Sequence, residues 1–575
     1  MKDAIHVDLE KTFPRKFVPE NADMGEWVEI EPLFAKLLGR KPSSVEELEQ
    51  WLLDCSELGG ALYEEGAKRY IAMTTQTDDP VREAAYQKFV EEIEPKMKPQ
   101  WQAVEMAYVN DPSRRLLRAE RYAVMDRMIE SNVALFRDEN VPLQTQEALL
   151  GKEYQKRMGA MTVIVDGQEL TLQQAAKCLE EPDRDLRRQV WEQIANRLLQ
   201  DNEALEGLYD QLIALRQTIA ANAACKDYRE YAFRERQRFD YTPKDCFEFH
   251  EAVERAVLPL VRKVLTGRWR QMKVETIRPW DLAADPLHRP PLRPFATAQE
   301  LVQGTLEIFS QVDPALGEQF RFMAEQQLLE LESRKGKAPG GYQSTLYEKR
   351  WPFIFMNAVG RDYDVRTLLH EGGHAFHMLA AREEPILYYR HAPLEFCEVA
   401  SMSMELLGTP HLGVFYKSPE ELGRARRARL EDIVLLLPWI ATIDAFQHWV
   451  YTRPGHTREE RLQHWLQIHK RFFPDVDWSG YAEKRAYLWH RQGHLFTSPF
   501  YYIEYGIAQV GALQVWLRSR ENYHDAVERY WEALSLGGSR PLPELFAAAG
   551  GRFRFDYETL QPLMDALGEE LDRLE

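Results

Sequence analysis

Five residues, His370-Glu371-Gly372-Gly373-His374, constrain this chain more than any other stretch. On an α-helix the two histidines stand at i and i+4, so both imidazoles leave one face and can share a zinc ion. Glu371 lies between them in rotation, where it can take a proton from a water that the metal activates. With 15 His and 91 Asp plus Glu in 575 residues, chance supplies this pattern roughly 0.06 times. The competing reading is a buried helix whose histidines are satisfied by hydrogen bonds. The glycine pair argues for something more, because two glycines inside a helix cost roughly 2 kcal/mol relative to alanine. Something approaches the backbone closely there, either a tightly packed neighbouring element or the substrate.

A catalytic zinc takes three protein ligands and leaves one position open. His370 and His374 supply two. Glu398, 24 residues after His374, is the candidate third ligand, with Glu395 its rival. Glu398, Ser401 and Glu405 fall at i, i+3 and i+7, a polar stripe on one helix. Ser401 and Glu405 can orient the ligands. His377 suits packing or support better than ligation. One zinc per chain follows.

Composition narrows the partners. A net charge of −18 argues against nucleic acid, which needs a basic footprint. The five cysteines are few, odd in number and widely spaced, which speaks against a disulfide framework and for a reducing compartment. The first residues lack the apolar core of a secretory signal. The longest apolar run, 433–441, is short for a membrane span and reads as a buried helix kinked at Pro438. A soluble, cytoplasmic protein is expected.

Along the chain, residues 1 to about 40 read as a polar entry arm with Pro14, Pro19 and Pro32. Ser44 and Glu47 have capping-box spacing. Leu48, Trp51, Leu52, Cys55, Leu58 and Leu62 then recur at helical intervals. Further helices are expected over about 80–110, 112–138 and 144–160. Asp166-Gly167 between two short β-like runs predicts a hairpin, and Thr171 opens the next helix. Prolines over 279–294 predict a loop ordered around Trp280-Asp281, followed by a helix from Thr297. Trp351–Asn357 is the best strand of the second half. It is expected either as an edge that could pair with a peptide or as part of a small structural sheet. A soft boundary near 180 separates an N-terminal helical domain, 1–180, from a catalytic domain, 181–575.

Leu-His-Glu-Gly-Gly-His-Ala-Phe-His over 369–377, followed by Glu398-Val-Ala-Ser401-x-x-x-Glu405, resembles the thimet oligopeptidase family of zinc peptidases. The oligoendopeptidase F branch is the most similar. Asp364-Val365, Phe353–Asn357, Trp280-Asp281-Leu282 and the run from His494 to Tyr505 share the likeness, which covers roughly 160–560. The resemblance implies a mainly α, two-lobed, zincin-like body with a small β-sheet beside the active site and a deep channel. It implies cleavage inside short peptides, with folded proteins excluded. It also implies that His494, Tyr502 and Tyr505 face the reacting carbonyl. The spacing from His494 is shifted against the thimet-like members, and Tyr501 competes with Tyr502. These four polar-tipped rings fall within 12 residues.

Two other functions fit parts of the pattern. A peptidase trimming single residues from the C-terminus would need a fixed cation for the substrate carboxylate, and the sequence identifies none. A silent peptide-binding scaffold would hold zinc for structure, yet a structural site is normally closed by four protein ligands. The expected partners are short peptides, with neither nucleic acid nor membrane; the oligomeric state is left open.

Overall fold

A computed structural model describes residues 5–574, so the first four residues of the expected entry arm lie outside it. The fold is mainly α, with five short strands: β1 (Thr162–Val165), β2 (Gln168–Thr171), β3 (Leu329–Glu332), β4 (Tyr342–Leu346) and β5 (Trp351–Ala358). Two compact units make up the chain, each assembled from three separated segments. The cut expected at 180/181 follows chain order and falls inside the second of these units.

The first unit comprises the described part of Met1–Ala134, with Arg293–Leu422 and Ala508–Phe553. Its N-terminal core forms around the helix Val45–Thr75, where the Ser44 side chain accepts from the Glu47 N–H as the capping spacing requires. Leu48, Trp51, Leu52, Cys55, Leu58 and Leu62 are all buried on one face. The arm is not irregular throughout. A helix, Trp27–Leu38, runs through Pro32 and buries Ile30, Phe34 and Leu37 in the same core. Its i, i+4, i+7 spacing outweighs the hydrogen bond that the proline forfeits.

The same unit holds a three-stranded sheet in the order β3-β5-β4, with β3 parallel and β4 antiparallel to β5. The Trp351–Asn357 strand therefore exists but is central, not an edge. Its buried run Phe353–Met356 suits a strand covered on both faces. Pro352 is tolerated because it pairs with Thr345 on one side only; β3 joins from Ile354 onward.

The second unit comprises Leu135–Leu292, Gly423–Ile507 and Arg554–Glu575, described to 574. Asp166 and Gly167 connect β1 to β2 with φ of 52° and 78°. This two-residue turn needs positive φ at both positions, which Asp-Gly supplies cheaply. Trp280-Asp281 has a structural role here. Burial alone would raise the Asp281 carboxyl, but Arg184 and Arg187 donate to it and hold it below its usual range. The long helix Pro419–Thr452 continues through Pro438. It is long and apolar enough to cross a membrane, but its 18-residue apolar stretch is 72% buried inside the protein.

His469, 2% exposed, gives this unit a pH dependence. Burial, then the charges of Arg485 and Arg491, hold its imidazole down to about 3 from 6.5. Arg485 also donates to Nδ1 at 3.0 Å. Below pH 6.5 the unfolded chain takes up a proton here that the native chain refuses until about pH 3. The contribution is intact above 6.5 and is lost as the pH falls through that window, by about 1.4 kcal/mol per pH unit. Urea midpoints should therefore drop on acidification, and His469→Gln should flatten the drop; an unchanged slope would refute this assignment.

Candidate active site

The helix carrying the histidine pair, Asp362–Ala380, starts from the end of β5. The chain turns at Gly360, φ +88°, where a side chain would be strained. Asp364 then accepts from the N–H groups of Val359 and Arg361, fixing the first turn. Val365, Leu368, Leu369 and Phe376 bury one face. The helix packs on β5, on β4 and on a second helix, Leu394–Gly408. That second helix is buried from Glu395 to Gly408, so its polar stripe has little solvent to face.

The stripe faces the histidines. Donor atoms of His370, His374 and Glu398 all lie within 4.8 Å of one another. Glu398 Oε2 is 3.4 Å from His370 Nε2 and 3.8 Å from His374 Nε2. A charge-assisted hydrogen bond would close to about 2.8 Å. Neighbouring ligands around a tetrahedral zinc stand about 3.4 Å apart, given bonds near 2.1 Å. The three groups thus stand at a spacing that could hold an ion. Glu395, one turn earlier, joins no such group among the described residues.

Both supporting contacts are present. His370 Nδ1 donates to Glu405 Oε1 at 2.9 Å, which leaves the Nε2 lone pair for a cation. Ser401 Oγ donates to Glu398 Oε2 at 3.1 Å. Burial opposes charge on His370, yet Glu405 and then Glu398 push its pKa up to about 9. A bound metal would displace that proton. Burial raises Glu398, partly offset by His370 and Ser401. The carboxylates around these imidazoles create a cation-seeking field.

Glu371 is 7% exposed, and burial pushes its carboxyl up to about 7, with Glu398 adding to the rise and His370 opposing it. The Gln343 N–H of β4 bonds to this carboxylate, which ties the sheet to the motif. A cation beside it would lower the value again. His377 stays apart from the three donors: burial holds it neutral, down to about 3, edge-on to Phe396.

The glycine pair serves helix packing. A Cβ on Gly373 would sit 2.6 Å from Ser401 Cα and 2.7 Å from the Ala400 carbonyl oxygen. One on Gly372 would meet the Phe309 ring at 2.4 Å. The close approach expected from the sequence is that of neighbouring protein elements.

His494, Tyr501, Tyr502 and Tyr505 belong to the second unit and form their own cluster. The His494 ring centroid lies 5.0 Å from Tyr502, 5.6 Å from Tyr501 and 5.9 Å from Tyr505. Burial pushes the Tyr502 phenol up to about 12, so it keeps its proton as a donor. Burial and then Arg236 keep His494 low, hence neutral.

Three features of this cluster carry no sequence signal. Trp439 Nε1, which can only donate, bonds to Gln492 Oε1 at 2.8 Å. That fixes the amide, whose Nε2 then donates to His494 Nδ1 at 2.8 Å. The His494 proton is thereby placed on Nε2 as a hydrogen-bond donor. The third feature is Phe500, whose φ is +62°, a strained value for a bulky residue. Gln447 accepts from its N–H and Arg238 donates to its carbonyl, holding the bend that leads into Tyr501 and Tyr502.

The sequence profile of Peptidase family M3 matches residues 178–564, more than half of the chain. An oligoendopeptidase F homolog of Borreliella burgdorferi is 25% identical over 218 residues, 36% of each chain. Oligopeptidase PepF of Bacillus subtilis is 23% identical over 336 residues, 55% of this chain and 47% of that one. The chain thus spans about a third to a half of the length of these curated relatives. A solved structure of Pz peptidase A with an inhibitor superposes with a TM-score of 0.88 at 30% identity, covering 97% of this chain and 99% of that one. By these matches the chain belongs to Peptidase family M3, on its oligoendopeptidase F branch.

Proposed function

We propose that this protein is a zinc-dependent oligoendopeptidase that hydrolyses internal bonds of short, unfolded peptides. The observation that carries the reading is the convergence of His370, His374 and Glu398 at ion spacing, one residue from the buried Glu371. Those three residues hold one catalytic zinc. When bound, zinc supplies a Lewis acid for the scissile carbonyl and makes a water acidic enough to attack at neutral pH.

The chain's own residues do the rest. Glu405 keeps the His370 proton on Nδ1, and Ser401 keeps Glu398 turned toward the imidazoles. Glu371 takes the proton from the attacking water and returns it to the leaving amine. The tetrahedral intermediate carries a negative oxygen. His494 with Tyr502 and Tyr505, or Tyr501 in place of Tyr502, donate hydrogen bonds to it, each worth roughly 3–4 kcal/mol. The substrate class is short, unfolded peptides.

The ligand set is tested with Glu398→Ala. The variant should hold one metal fewer per chain by elemental analysis and lose peptide hydrolysis. Undiminished metal content would move the ligand role elsewhere, first to Glu395.

A further inference from the structure

The second unit contains another group of metal-capable side chains. Cys246 and His250 stand one turn apart on the helix Pro243–Ala252. Asp444 and His448 stand one turn apart on the helix Pro419–Thr452. Each pair leaves its helix on one face. The two faces meet: Cys246, Asp444 and His448 each offer a ligand atom, all within 4.8 Å of one another. All four residues are at most 3% exposed. The rings of Phe247 and Phe500 stand edge-on to His448 at 4.9 and 5.3 Å.

From this we infer that Cys246, Asp444 and His448 form a second metal site, for a divalent transition-metal ion of the zinc class, with His250 orienting the Asp444 carboxylate. A hydrogen-bonded buried triad explains only part of the geometry. His250 Nε2 lies 2.8 Å from Asp444 Oδ2, a hydrogen bond. His448 Nε2 lies 3.3 Å from the same oxygen, close to the spacing of two ligands on one zinc and without a hydrogen bond. Asp444 Oδ1 and His448 Nδ1 are likewise buried without a hydrogen-bond partner. Buried polar atoms in such number call for an occupant. The donors choose its chemistry: a sulfur, an imidazole nitrogen and one carboxylate suit zinc, cobalt or nickel better than magnesium or calcium.

Burial, and then Asp444, raises the Cys246 thiol, so it stays protonated until an ion replaces the proton. Binding forms the metal–sulfur bond, releases that proton to solvent, and leaves a neutral imidazole on His448. With every donor buried, the ion enters as the chain folds, and its role is to join the two helices.

The catalytic set contains no sulfur, which makes the test selective. The full-length protein, refolded with cobalt(II) and cleared of loosely held metal, should carry two ions per chain. It should show a sulfur-to-cobalt charge-transfer absorption. Cys246→Ser should lose that absorption and drop to one ion. His370→Ala should keep the absorption and also hold one ion, so failure of the catalytic reading is distinguishable from failure of this one. If the buried serine prevents folding, the wild-type and His370→Ala spectra decide the matter. A wild-type protein with one ion and no sulfur band would overturn the inference. So would a band that survives Cys246→Ser, since it would belong to another thiol such as Cys397 beside His391.

Discussion

Glu371→Gln keeps its metal and loses peptide hydrolysis, with kcat falling about 1000-fold or more. The substitution preserves shape and leaves an oxygen to accept the Gln343 N–H. What it removes is the basic carboxylate. An amide cannot take the proton of the attacking water or deliver one to the leaving amine, and general acid–base catalysis of this kind is worth roughly 100- to 10,000-fold. Zinc ligation should not suffer, because His370 keeps its support at Glu405 and Glu398 keeps its own at Ser401. A quenched peptide reports turnover and elemental analysis reports the metal. Hydrolysis at the wild-type rate would remove Glu371 from the mechanism.

Gly373→Leu damages folding and metal binding together. The space beside Gly373 is occupied by the backbone of the helix that carries Glu398, at 2.6 and 2.7 Å from a would-be Cβ. Backbone cannot rotate away as a side-chain tip can. Tyr530 also holds the Ala400 carbonyl, donating to it at 2.9 Å. Any side chain therefore moves the two helices apart and separates Glu398 from the histidines. Gly373→Ala should already cost about 1–3 kcal/mol as overpacking, with leucine beyond that. Thermal midpoint and zinc affinity should fall in step. A Gly373→Ala protein with the wild-type midpoint and affinity would contradict the packing seen here. On sequence grounds a bulky residue at this position should harm turnover more than folding; the helix contact makes the harm common to both.

Much of this was legible before the structure because the signals are local. The histidine spacing, the Glu398-Ser401-Glu405 stripe, the Asp-Gly turn and the caps at Ser44, Thr171 and Thr297 each depend on residues at most one or two turns apart. What the sequence left open or gave no sign of is non-local. Whether Trp351–Ala358 is an edge depends on β3, which pairs with it in parallel and is separated by β4. The Trp439–Gln492–His494 chain joins residues more than fifty positions apart, and Phe500 bends the backbone without a glycine to announce it. Cys246 and Asp444 are nearly two hundred residues apart, so their meeting leaves no spacing to read. The compact units are discontinuous for the same reason: the chain leaves each and returns.

The most direct test is a product map of one unblocked decapeptide, by mass spectrometry, with and without a metal chelator. A zinc oligoendopeptidase should give paired fragments from an internal cut, absent with chelator and restored by zinc. Stepwise loss of single C-terminal residues, or internal cleavage that persists after the metal is removed, would contradict it.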